Sequence, residues 1–251
     1  MKRTLFLLCM TLVALGNNAL RAQEHKPTLS VSSSAKVTAK ADLAIVFMTI
    51  RSTSPLAADA LDQNNKKVQA VRDRLTALGF KEDQIKFSGN RFAPAGGRVV
   101  AYGDQRPTGF DVTNNLFVYL EGSDLKDLQQ FNTRLGGLLD ELSKLGAAPL
   151  NVPISTISMG STSVVAFTVK DPTALEKQAY QQAVDNARPL ADVIAHHMHV
   201  QITGVSSVSL QQGMNQARFE SSIPEIPFPY LSSSLDEIPI RVSVYVSYYY
   251  Q

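Results

Sequence analysis

The chain has 251 residues, 44% of them hydrophobic and 18% charged, with 24 basic side chains against 22 acidic ones. A chain of this length can bury an ordinary core, and so even a charge balance argues against nucleic acid or an anionic surface as partner. The one cysteine, Cys9, falls within the first 22 residues, so no disulfide framework supports the remainder.

Residues 1–22 combine Lys2-Arg3, an apolar run over 5–15, a polar break at Asn17-Asn18 and a small residue at Ala22. That is the layout of a secretory signal, and it predicts cleavage near Ala22 and export to the periplasm or beyond. The run is about half the roughly 20 residues that a spanning helix needs. No later stretch is longer, so the mature chain is expected to carry no transmembrane helix. Phe6-Leu7-Leu8-Cys9 loosely resembles a lipobox, but Cys9 lies inside the hydrophobic centre and Met10 is a poor residue to follow it. Loss of Lys2, Arg3 and Arg21 leaves 21 basic residues against 22 acidic ones. The expected organisation is a leader over 1–22, a polar lead over 23–28 and one domain over 29–251.

In chain order, Leu29, Val31, Ser33, Ala35 and Val37 alternate with polar residues, the pattern of a strand with one wet face. Residues 44–50 form a continuous apolar run, which suits a strand buried on both sides. Ser54-Pro55 then opens a helix with Ala58, Leu61, Asn65, Val68, Val71, Leu75 and Leu78 at helical spacing, stopped by Gly79. A strand begins at Ile85-Lys86-Phe87, and residues 94–98 read as a hairpin turn. Gly109-Phe110 leads into a strand over 116–120. Ser123 or Asp124 is the expected cap of a second helix, whose stripe is Leu125, Leu128, Leu135, Leu138, Leu139 and Leu142 and whose stop is Gly146. Another strand covers 164–169.

Asp171 and Pro172 open the longest helix, as cap and first residue. It carries Ala179, Ala183, Ala187, Ala191 and Ala195, a ribbon of small side chains that allows close approach. The ribbon suits a subunit contact or, more simply, a helix lying on its own sheet. Pro189 should kink or split this helix, because it removes the bond to the Asp185 carbonyl. A strand around 202–210, a proline-rich loop over 211–237 and a long final strand follow. In that strand Ile238, Ile240, Val242, Val244, Val246, Tyr248 and Tyr250 share one side. The class is α+β, with a mixed, mostly antiparallel sheet packed by about three helices.

Chemistry is sparse. Gly136-Gly137 lacks the lysine and hydroxyl of a phosphate loop, and no Gly-x-Ser-x-Gly elbow occurs. The acid pairs Glu82-Asp83 and Asp236-Glu237 sit at element ends in polar surroundings, unlike carboxylates tuned for acid–base work. The remaining cluster is His196-His197-Met198-His199. With Asp192 one turn earlier, His196 and His199 would share a helix face and could hold zinc or copper. Cations finishing an exposed helix end explain the same residues. Tyr248-Tyr249-Tyr250 reads as strand-end packing or a contact patch.

Taken together, these segments resemble the SIMPL domain family, which includes bacterial periplasmic immunogenic and oxidative-stress defence proteins. Leu29-Ser30-Val31-Ser32 is similar to its opening strand, I-x-V-x-G-x-G, and Ala41-Asp42-Leu43-Ala44 stands for its Pro-Asp-x-Ala. Ala60-Leu61 with Asn64, then Leu75, Gly79 and Asp83-Gln84-Ile85, follow its first helix and next strand. Gly109-Phe110 stands for Gly-Tyr, and residues 135–147 resemble its "lld…Ga" helix. Ser33 replaces a usual glycine, Ala41 a usual proline, Pro189 interrupts the alanine helix, and residues 96–106 look longer than typical.

The resemblance implies an α+β envelope or secreted protein with no catalytic residues and no cofactor. Relatives include ring-like oligomers, proteins linked to oxidative stress and a kinase-associated adaptor. The expected function is therefore a non-enzymatic, exported, self-assembling protein serving envelope maintenance or stress tolerance, with another envelope protein as a possible partner. The alternative is a metal- or small-ligand-binding protein built on Asp192, His196 and His199.

Overall fold

The computed structural model describes residues 26–95, 108–153, 162–211 and 228–251. The leader over 1–22, with its lipobox-like Cys9, lies outside these residues, as do the turn residues 96–98. All strand pairings among the described residues are antiparallel. They build two sheets and a short ladder, rather than the single sheet expected.

The first sheet is three-stranded. β1 (Thr28–Ala39) pairs along its whole length with β11 (Ile238–Tyr250), which also pairs with β10 (Ile202–Gln211). The alternation read from the sequence places Val31, Ser33 and Val37 inside, opposite Val246, Val244 and Ile240. On β11 the even-numbered residues from Ile238 to Tyr248 are buried. From Ile240 to Tyr248 they meet the longest helix, α3 (Thr173–His197), through Ala179, Ala183, Ala187 and Ala191.

The second sheet is six-stranded. Its centre is β2 (Leu43–Ser54) against β5 (Gly109–Glu121), paired from Leu43↔Glu121 to Ser54↔Phe110. β3 (Ile85–Phe87) and β4 (Arg91–Ala95) flank β5, while β6 (Ala147–Pro149) and β9 (Val165–Thr168) flank β2. The two-residue strands β7 (Val152–Pro153) and β8 (Thr162–Ser163) form the ladder. On one face, α1 (Ala57–Ala77) and α2 (Leu128–Lys144) cover Ala44, Val46, Met48, Ile50, Leu116 and Val118. The other face buries Leu43, Ile45, Phe47, Phe117 and Tyr119 beneath Val152, Phe228 and Leu231. Burial on both faces is why residues 44–50 read as an uninterrupted apolar run.

Several boundaries differ from the sequence reading. Pro94 and Ala95 belong to β4, whose hairpin with β5 closes at Ala95↔Gly109. β5 begins at Gly109, where a Cβ would lie 2.5 Å from the Ser54 carbonyl oxygen, so glycine alone permits that approach. The inward line of α1 is Ala60, Asn64, Val71 and Leu75, with Ala58, Asn65 and Leu78 outside. The stripe read from the sequence took Asn65, whereas its neighbour Asn64 is the buried amide. The cap of α2 is Asp127, which accepts from the Gln129 and Gln130 amides at 2.8 and 3.2 Å. Ser123 and Asp124 lie in a separate 3-10 turn, and Phe131 takes the inward place expected for the exposed Leu128.

Pro172, not Asp171, occupies the cap position of α3, and Asp171, one residue earlier, accepts from the Thr173 amide at 3.0 Å. The helix runs on through Pro189 without splitting. Residues 185 and 189 are exposed, so water can take up the carbonyl that proline leaves unbonded.

The proline-rich region is not all loop. Gln211 ends β10, residues 212–227 are not described, and 228–235 is a strap tied to both sheets. Ser232 and Phe167 exchange backbone bonds of 2.9 and 2.8 Å, and Ala41 N–H donates to Leu235 O at 2.9 Å. Tyr230 donates its hydroxyl to Glu176 of α3 at 2.8 Å.

Candidate functional site

The residues singled out for metal binding do not come together. α3 ends at His197, Met198 caps it, and His199 adopts a left-handed conformation with φ 55°. The His199 amide then donates to His196 O and the Val200 amide to Ala195 O, closing the helix with the bond pair usually supplied by a glycine stop. Gly79 closes α1 in the same way, through Thr76 O and Leu75 O. His196 and His199 therefore do not share a helix face, because the chain has turned between them. Asp192 is engaged by Arg188, whose Nε lies 2.9 Å from Oδ1. Among the described residues, no three His, Cys, Asp or Glu side chains are grouped to hold a metal ion.

The alanine ribbon is occupied by the chain itself. Ala179, Ala183, Ala187, Ala191 and Ala195 are buried, the first four against Val31, Val37 and the inward side of β11. As contact candidates for another subunit they are corrected: small side chains let α3 lie close on its own sheet, and no free surface remains there.

Exposed apolar side chains mark another part of α3. Leu190, Val193, Ile194 and Met198 are 48, 60, 40 and 45% exposed. Their spacing of three and four residues places them on neighbouring turns, away from the alanines. A helical projection of residues 186–198 shows this second apolar side beside the first; the regular alanine step draws attention from it. On β10, Val205, Val208 and Leu210 are also exposed. Their β11 partners Tyr248, Val246 and Val244 lie under α3, so helix cover stops short of β10. Tyr248 is buried beneath Arg188, 5.8 Å from ring centroid to guanidinium, while Tyr249 and Tyr250 are half-buried.

Two polar clusters went unread in the sequence. Beneath the first turns of α1, the Asn64 Nδ2 donates to Ile50 O and Val112 O, both at 3.1 Å, and so bolts the helix onto β2 and β5. Ser52 and Asn114 are buried in this region on the same face of the sheet. On the opposite face Asp111 of β5 accepts from Arg51 and Thr53 of β2. The Arg51 guanidinium, helped by the Thr53 hydroxyl, holds the Asp111 carboxyl below its ordinary pKa. Both clusters pin strands and helix together. Neither pairs a nucleophile with a base, and the ion pair joins two neighbouring strands by local cross-strand chemistry.

Among the described residues, no helix is long and apolar enough to cross a membrane. No curated protein matches the chain. The pattern of the SIMPL family, described as a protein of unknown function (DUF541), matches residues 29–248. That span takes in every strand and helix described, from the second residue of β1 almost to the end of β11, and the chain therefore belongs to the SIMPL family.

Proposed function

We propose that this protein is a non-enzymatic, exported envelope component that works as a homo-oligomer, in envelope maintenance or stress tolerance. The observation that supports the reading is the exposed apolar set Leu190, Val193, Ile194 and Met198 on neighbouring turns of α3; Val205, Val208 and Leu210 on β10 form a separate exposed set. Scattered apolar residues are ordinary on a protein surface, whereas a grouped set marks a place that another surface covers. The signal-like leader supports export.

The test is absolute mass by light scattering, with and without added zinc or copper. A discrete multimer that does not depend on metal is the expected result, and a monomer across the accessible concentration range would refute the assembly reading. Fractionation of cells into cytoplasm and periplasm tests export. Survival of a deletion strain under detergent and peroxide, with and without the restored gene, tests the physiological role.

A further inference from the structure

We propose that the assembly is built on the open edge of β1, which joins antiparallel to β1 of a second copy and brings the two α3 helices side by side on one face of a six-stranded sheet. The inference rests on the self-assembly reading above and names the surface and its occupant.

Among the described residues β1 pairs with β11 alone, so no strand covers its other edge, where a side chain, Asn186, meets the Ser34 carbonyl. Edges of this kind are normally guarded by charges, proline or bulges. β1 has twelve residues, no proline and one charged side chain, Lys36, and its register against β11 contains no shift. β10, at the far edge, has two shifts in register, which twist and interrupt an edge. β1 is thus the better template for another strand.

The helix above it is placed to take part. Asn186 Nδ2 reaches Ser34 O of β1 at 3.4 Å, while Arg188 lies over Tyr248 of β11. These contacts orient α3: one flank faces the β1 edge and the other faces β11. Leu190 and Ile194 follow Asn186 at steps of four and therefore continue the β1 flank. With Val193, seven residues beyond Asn186, they are exposed apolar residues of that flank, and none of these positions carries a charge.

The spacing closes. Adjacent strands lie about 4.8 Å apart. A helix over β1 and β11 and its two-fold mate would then run about 10 Å apart, within the usual range for packed helices. An odd-to-odd register keeps Leu29, Val31 and Val37 on the helix side in both copies, as a buried face requires. Ser30, Ser32 and Ser34 then line the opposite face, where a two-fold axis near Ser33 sets Lys36 across from Ser30 rather than from its own mate.

The test uses the purified full chain in a Cys9→Ser background. Cysteines are placed one at a time at Ser32 and Ser34 on β1, close to the two-fold axis, and at Ser207 and Ser209 on β10, and treated with a short bis-maleimide. The variant Leu190→Lys/Ile194→Lys is weighed by light scattering, with circular dichroism to confirm folding. Dimers cross-linked from β1 positions alone, and self-association weakened about tenfold or more by the double lysine, are the expected results. Multimers that cross-link through β10, or through neither strand, would overturn this interface and leave self-assembly standing. A wild-type monomer would overturn both.

Discussion

Asn64 offers the sharpest test of how the larger sheet is held. Its side chain is wholly buried, and its Nδ2 donates to the carbonyls of Ile50 and Val112 on two different strands. Each such bond contributes about 1 kcal/mol net. Asn64→Ala should therefore cost about 2 kcal/mol, with a small addition for the void left beneath α1. In a domain of this size that corresponds to a fall in Tm of about 4–8 °C. Asn64→Asp keeps the shape, removes both donors at neutral pH and aims a carboxylate at two carbonyl oxygens. It should cost more than the alanine variant at pH 7, by about 1 kcal/mol or more. Burial among acceptors raises the pKa of such an aspartate above its unfolded value, so the penalty should shrink as pH falls and the protonated acid donates one bond. Urea unfolding of the three proteins at pH 7 and pH 5 reads these effects. An alanine variant within about 0.5 kcal/mol of wild type, or an aspartate variant no worse than alanine at pH 7, would refute the bolt.

Ala187→Leu should cost about 1–3 kcal/mol by overpacking the α3–sheet contact, read as a lower thermal midpoint; a neutral result would mean that the alanine ribbon is not packed as described. The depressed pKa of Asp111 stabilises the fold at pH above the unfolded value of about 3.9, and that contribution is lost as pH falls through the folded value. The stability gap between wild type and Asp111→Asn, followed by urea unfolding from pH 7 to pH 2.5, should thus narrow below about pH 4. His199→Gly should stabilise by about 0.5–1 kcal/mol, because glycine takes the left-handed position without strain. His196→Ala with His199→Ala should leave zinc uptake, measured by calorimetry, unchanged.

Local features carry far in this chain. The alternation in β1 and β11, the doubly buried run of β2 and the glycine stops at Gly79 and Gly146 are legible because each reports a neighbouring solvent boundary or a single backbone conformation. Where the reading slipped, a distant partner decided the outcome. The stripe read from the sequence took Asn65 rather than Asn64, yet two strand carbonyls far from Asn64 in sequence make its burial favourable. Asp127 caps α2 in place of Ser123 or Asp124 because a 3-10 turn intervenes before the helix. His196 and His199 looked like one helix face until the left-handed turn at His199 separated them.

The order of the elements, the α+β class, the family and the signal-like leader were available from the sequence by itself, because they depend on periodicity, punctuation and spacing along the chain. Tertiary structure alone decided that the strands divide into two sheets, that the alanine ribbon is spent on the chain's own core, and that the open surface lies on β1, β10 and the outer turns of α3. The physical reason is that burial is a property of pairs of surfaces. A stripe of small or apolar residues records that something lies against it, and only the folded chain shows whether that something is already present.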